Sequence, residues 1–289
     1  MRQRHALALI TVVAAGCAET GQDRTSVPLF VAGTNVTEPV VAAFDVPVTI
    51  DRADLAFGPL YLCAGATAGD LCDTARLEWL ETVVVDTTLD EPARAGELSG
   101  VTGTVRSWMY DLGISSQLTR TEPFILDAAS QLGGASLVLE GRAVVDGIEV
   151  PFTASVRIQQ TDDTELGVPV VRKSTSESFF RDVGSDESAL LLRFDPSAWV
   201  RGIDFRPYVS HASCTSGGPT LACDGALERT CDGETELSTR DCTALGNVCI
   251  AGTGCRERLS IDAESEAYRS LRNALVSGGR PSFNWDHVP

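Results

Sequence analysis

The stretch Leu137-Val138-Leu139-Glu140-Gly141-Arg142-Ala143-Val144-Val145-Asp146-Gly147-Ile148-Glu149-Val150-Pro151-Phe152-Thr153-Ala154-Ser155-Val156 decides the class of fold. Asp146-Gly147 separates two arms of β-type sequence. A two-residue turn of type I′ needs positive φ at both central positions, which this pair tolerates. On the second arm Ile148, Val150, Phe152, Ala154, Val156 and Ile158 fall on one face, while Glu149, Thr153, Ser155 and Arg157 fall on the other. The spacing predicts the pairs Val145–Ile148, Ala143–Val150, Gly141–Phe152, Leu139–Ala154 and Leu137–Val156. Apolar meets apolar at each step, and the phenyl ring covers the bare glycine. This is a half-buried hairpin with its inner face identified.

Outward from the hairpin, runs rich in Val, Ile, Leu, Thr and Phe recur between Gly, Asp and Pro. They predict strands near 27–33, 39–50, 54–62, 76–86, 101–111, 168–176 and 189–195. After the last, Asp195 caps a short helix with Pro196 at its first position, and Ile203-Asp204-Phe205 reads as a strand start. The stretch 262–277 is the one good helix. Asp262 or Ser265 caps it, Tyr268, Leu271 and Leu275 form its apolar stripe, and Gly278-Gly279 stops it. Residues 281–285 then read as a closing strand. The expectation is a mainly β fold: a β-sandwich-like domain over 26–205 plus 256–289, with one C-terminal helix and an inserted disulfide-rich module at 206–255.

Nine cysteines shape the rest of the reading. Cys63 and Cys72 bracket a small flexible loop and are expected to form a structural disulfide. Cys214, Cys223, Cys231, Cys242, Cys249 and Cys255 lie in a stretch with few large apolar residues, which needs covalent staples to stay folded. Fifteen connectivities exist for six cysteines, and the sequence does not choose among them. A zinc site calls for closely spaced ligand pairs such as Cys-x-x-Cys, which are missing here. The Cys-Asp-Gly repeats at 223–225 and 231–233, followed by 241–249, resemble a cysteine-rich unit of secreted and surface proteins of myxobacteria. The resemblance spans 214–255. It implies a disulfide-stabilised extracellular module and supplies no activity.

At the start, Arg2 and Arg4 precede a charge-free run from Ala6 to Ala15, then Gly16 and Cys17. The run is too short to span a bilayer, which takes about 20 apolar residues, and has the layout of a signal peptide. Ala14-Ala15-Gly16-Cys17 resembles a bacterial lipoprotein signal, with Ala14 where Leu is commoner. The resemblance implies a signal peptide at 1–16, acylation of Cys17 and a lipidated tether at 17–25. Setting Cys17 aside leaves an even number of cysteines for disulfides. Ala18, in place of Asp, points by the family's sorting rule towards the outer membrane. The expected location is therefore the cell envelope, outside the cytoplasm, with the membrane as a partner through the lipid anchor.

The formal net charge is −17. So acidic a chain does not suit nucleic acid, whose binding draws on Lys and Arg at phosphates. No Gly-x-Ser-x-Gly elbow, His-Glu-x-x-His pair, phosphate-binding loop or EF-hand loop occurs. Glu78 with Glu81, and Glu264 with Glu266, are the noticeable carboxylate pairs. They read more simply as a solvent face and a helix first turn. No catalytic residue and no cofactor is assigned. The leading reading is a non-catalytic binding or structural role towards a protein or glycan at the cell surface. Two alternatives remain open: a copper or zinc site at His211 and His287, or a carbohydrate-active or sugar-binding face lined by Trp79, Trp108, Trp199 and Trp285.

Overall fold

Asp146 and Gly147 adopt φ of 51° and 79°, the backbone that the two-residue hairpin requires. The pairing is the one read from the sequence, with Val145 opposite Ile148, Gly141 opposite Phe152 and Leu137 opposite Val156. Gly141 is boxed in: a Cβ there would lie 2.9 Å from the Phe152 ring and 2.3 Å from the Thr49 carbonyl oxygen. The computed structural model describes residues 22–65, 75–115, 124–158, 171–173, 180–185, 189–209, 213–218 and 220–285.

Two sheets carry the fold. Numbered along the chain, the first orders β14 (Val171–Lys173), β9 (Ser107–Tyr110), β4 (Leu60–Cys63), β5 (Ala75–Trp79), β7 (Ala93–Val101), β1 (Arg24–Ala32), β16 (Leu190–Arg193) and β23 (Ser282–Asn284). The second orders β2 (Val40–Val41), β3 (Pro47–Phe57), β12 (Leu137–Val145), β13 (Ile148–Val156) and β22 (Leu259–Ile261), with β6 (Val83–Asp86) also on β3. Two small ladders pair β8 (Gly103–Val105) with β15 (Arg181–Val183) and β10 (Ile114–Ser115) with β11 (Phe124–Ile125). The arrangement is β-sandwich-like, and the apolar alternation of each sheet meets in one core. Leu29, Leu62, Leu77, Leu98 and Leu190 come from the first sheet, Val48, Leu55, Leu139, Val150 and Phe152 from the second. Phe57 lies at the crossing, within 5.1–5.8 Å of the rings of Phe194, Tyr110 and Trp79.

Helix α1 (Asp127–Gln131) precedes the hairpin, and α2 (Ser197–Val200) follows β16. Asp195 Oδ1 accepts the Ser197 N–H at 3.0 Å, the bond expected of a capping carboxylate, while the helix itself starts at Ser197, one residue later than expected. Helix α3 (Glu266–Asn273) is capped by Ser265 and continues into a π-type turn over Ala274–Gly278. Tyr268, Leu271 and Leu275 face the core, and the Tyr268 hydroxyl accepts the Arg157 N–H at the end of β13.

Several predicted strands divide. The stretch 39–50 is broken by a turn at Ala43–Asp45, where Phe44 and Asp45 have φ of 59° and 60°. The run 54–62 passes from one sheet to the other at Gly58-Pro59, where proline has no N–H for a ladder. The run 76–86 is interrupted at Leu80–Thr82, and 101–111 resolves into the end of β7, β8 and β9. Ile203-Asp204-Phe205 is not a strand. Ile203 and Phe205 are instead buried from irregular backbone leading into a 3-10 turn at Arg206–Tyr208. Of the predicted 168–176, Val171–Lys173 is a strand, and the flanking residues lie outside the described residues.

Register also orients the molecule. At the exit of β1, the Gly33 N–H donates to Leu89 O and the Thr34 N–H to Thr87 O, and Thr87 is bonded to Ala53 of β3. Ten residues further on, Cys63 pairs with Ala75 and Ser107, level with the entry of β1 beside Val101. The path 47–63 therefore runs opposite to β1. Its start, Val48 beside Ala143 below the Asp146-Gly147 turn, lies beyond the exit of β1. The hairpin turn and the point where the chain enters the sandwich are at opposite ends.

The inner face of the hairpin fixes the outcome of a pair of substitutions. Phe152→Ala should cost about 3–5 kcal/mol in denaturant unfolding, because it empties a fully enclosed site. Val144→Thr, on the exposed side of β12, should change stability by about 0.5 kcal/mol or less.

Candidate functional site

After Val209 the chain leaves the sandwich, and at β22 it rejoins β13 in parallel, Phe152 opposite Leu259. Between them, β17 (Leu221–Asp224), β18 (Leu227–Asp232) and β19 (Thr235–Asp241) form a three-stranded sheet beside a ladder of β20 (Val248–Ile250) and β21 (Gly254–Arg256). Each Cys-Asp-Gly repeat makes a turn of this sheet. Gly225 (φ 64°) joins β17 to β18, and Gly233 (φ 61°) joins β18 to β19. The Asp-Gly pair within each repeat is the sequence signal for these turns, and it sits inside the cysteine pattern.

Burial alone does not hold the module; covalent links do. Disulfides join Cys214 to Cys231, Cys223 to Cys249 and Cys242 to Cys255. The last four form one buried cluster, the module's own core. For separations of 17, 26 and 13 residues, loop-closure entropy gives about 3 kcal/mol per bridge. The module also seats on the sandwich. Val248 and Ile250 join the main core, the Ala251 N–H donates to Tyr208 O at 3.0 Å, and Gly225 lies against Ile148, just after the hairpin turn. This is the end remote from the entry of β1.

A buried carboxylate ties the two halves of the module together. Glu228 on β18 accepts the Cys255 N–H at 2.6 Å and pairs with Arg240 of β19 at 2.9 Å. The backbone bond from Cys255, aided by Arg240 and Arg256 and opposed by desolvation, holds its carboxyl below the usual range. On the opposite face of the sheet Arg229 bridges Glu236 and Asp224, and these two carboxylates raise its pKa, Glu236 first. The Thr239 hydroxyl donates to Glu236, and this bond, ahead of Arg229, lowers the Glu236 pKa. Asp241 accepts both the hydroxyl and the N–H of Thr243, which lowers its own. These charges are spent on order within the module. None of Glu228, Arg229 or Arg240 was singled out from the sequence, because their pairing depends on a register that the disulfides and turns set.

The remaining candidate residues disperse. Cys63 is disulfide-bonded; Cys72, Cys17, His211 and His287 lie outside the described residues. All four tryptophans are buried, at 3% (Trp79), 5% (Trp108), 0% (Trp199) and 8% (Trp285) exposure, so they form no exposed aromatic face. Glu78 and Glu81 are exposed, and Glu266 opens α3. Among the described residues, Glu228, Cys242 and Cys255 bring three ligand-type atoms within 4.8 Å. Both sulfurs are joined to each other and Glu228 is held by an N–H and a guanidinium, so the oxidised module offers no thiolate there.

The environment of Glu228 sets a pH dependence. A lowered folded pKa contributes stability above the ordinary glutamate value of about 4.3 and loses it as pH falls through the folded value. In unfolding experiments Glu228→Gln should therefore lose about 1.5–3 kcal/mol at neutral pH, the size of a hydrogen bond to a charged group. The gap from the native protein should shrink below about pH 4.

No protein-family model and no curated protein matches the chain. Among solved structures it is similar to MbnP from Methylosinus trichosporium, at 10% sequence identity and a TM-score of 0.34, over 63% of this chain and 79% of that one. The fold and the site rest on this chain's own residues.

Proposed function

We propose that the protein is a lipid-anchored, extracytoplasmic spacer that presents its disulfide module, as a non-catalytic recognition surface, away from the membrane. One observation carries this reading: the chain enters the sandwich at the end opposite the module. A tether of a few residues from Cys17 to Arg24 keeps the entry end at the bilayer, since an extended residue spans about 3.3–3.6 Å. The sandwich then sets the module's distance from the lipid.

Three bridges in one short segment suit an oxidising compartment. The leader before Cys17 supports export and acylation, and Ala18 supports sorting to the outer membrane. Among the described residues no helix is long and apolar enough to cross a membrane; in this reading acyl chains on Cys17 supply the anchor. Each buried methylene contributes about 0.8 kcal/mol, and stable anchoring takes more than one chain. The partner in this reading is a protein or glycan at the cell surface.

Detergent phase partition of cell-envelope fractions tests the anchor. The native protein should enter the detergent phase, and Cys17→Ala should move to the aqueous phase. A native protein found in the aqueous phase, or a variant that partitions unchanged, would overturn the reading.

A further inference from the structure

We propose that the open edge of β19 binds an extended, basic peptide segment, which joins the module's sheet as a fourth strand. This rests on reading the module as the recognition surface, and names its ligand class. Among the described residues β19 pairs with β18 alone, and all seven of its residues are exposed. The phase of the ladder shows what the edge offers. The Cys242 N–H donates to Ala226 O at 3.0 Å, so the register makes Glu228–Arg240 and Thr230–Ser238 the hydrogen-bonded pairs. The N–H and C=O groups of Thr239 and Asp241 then point to the open side. An extended peptide uses such groups in strand addition.

The edge is ordered in advance. Cys231 on β18 is bonded to Cys214, and Cys242, directly after β19, to Cys255. The entropic cost of pairing therefore falls on the incoming peptide. Free edges are commonly blunted by lysine, proline, other charged side chains or bulges. β19 has no lysine or proline, and its charged residues Glu236, Arg240 and Asp241 are two acids to one base. Its register slips at Leu237, which stands 62% exposed and adds an apolar contact.

Charge selects the ligand. Residues 214–255 carry six acidic side chains and two basic ones, and both arginines are engaged by carboxylates. Asp232 and Glu234, exposed around the β18–β19 turn, add negative charge beside the edge. A basic strand meets attraction there, and an acidic one repulsion.

The test uses the full mature protein with two labelled seven-residue probes, one alternating Lys with Val and one alternating Glu with Val. The basic probe should bind saturably, weaken as salt rises, and slow amide exchange at Thr239 and Asp241; the acidic probe should not bind. Thr239→Pro removes an outward N–H without touching the ladder to β18, and should weaken binding about tenfold, a loss of about 1.4 kcal/mol. Equal binding of both probes, no binding of the basic one, or binding that leaves β19 exchange unchanged would each overturn the proposal. The exchange measurement on the native protein decides the matter even if Thr239→Pro does not fold. None of these readouts depends on acylation of Cys17, so anchoring and ligand class stand or fall separately.

Discussion

The pairing of Gly141 with Phe152 is the contact on which the sandwich is organised. Side chains alternate across a sheet with period two, so a slip of one residue would send Val150, Phe152 and Ala154 to solvent and Glu149, Thr153 and Ser155 into the core. The Asp146-Gly147 turn sets the register from one end, and the ring over the glycine locks it in the middle. With that face fixed, β3 lines up along β12 and β22 along β13, and the first sheet packs against the same apolar surface.

Two kinds of cohesion divide the chain. The sandwich holds itself by apolar area, drawn from both sheets and closed at one side by α3. The module has four cysteines where a domain would have a hydrophobic core, and relies on bridges that act mainly by restricting its unfolded state. Val248 and Ile250 are where the two regimes meet, because they belong to the stapled segment yet pack into the main core. That seam lets a segment poor in large apolar residues keep a fixed position at the far end of the sandwich. Rigidity in such a segment is what the proposed binding edge requires.

Legibility followed the range of the interactions. The hairpin, its register and the stripe of α3 were readable, and the cap was narrowed to Asp262 or Ser265, because each is set within some twenty residues. The break at Gly58-Pro59 carried a local sign, since the core-facing residues change phase from Ala53, Leu55 and Phe57 to Leu60 and Leu62 across the proline. Which sheet each half joins is set by distant partners. The parallel partnership of β1 with β16 joins residues 29 and 190, beyond the reach of local pattern. Ile203 and Phe205 looked strand-like because burial demands the same apolar types whether or not the backbone is extended. In the module, the cysteines announced disulfides but not partners. The Glu228 carboxylate became visible only once Cys255 was placed beside it. The tryptophans show the converse: their types suggested a sugar platform, and burial removed it.

The hairpin core and the disulfides hold separate parts of one chain. Amide hydrogen exchange, followed by mass spectrometry on the oxidised protein and on the same protein after mild reduction, tests it most directly. Reduction should release the amides of 214–255 while those of 137–145 and 148–156 keep their protection. Loss of hairpin protection together with that of the module would show that the bridges, and not the apolar register, hold the sandwich together.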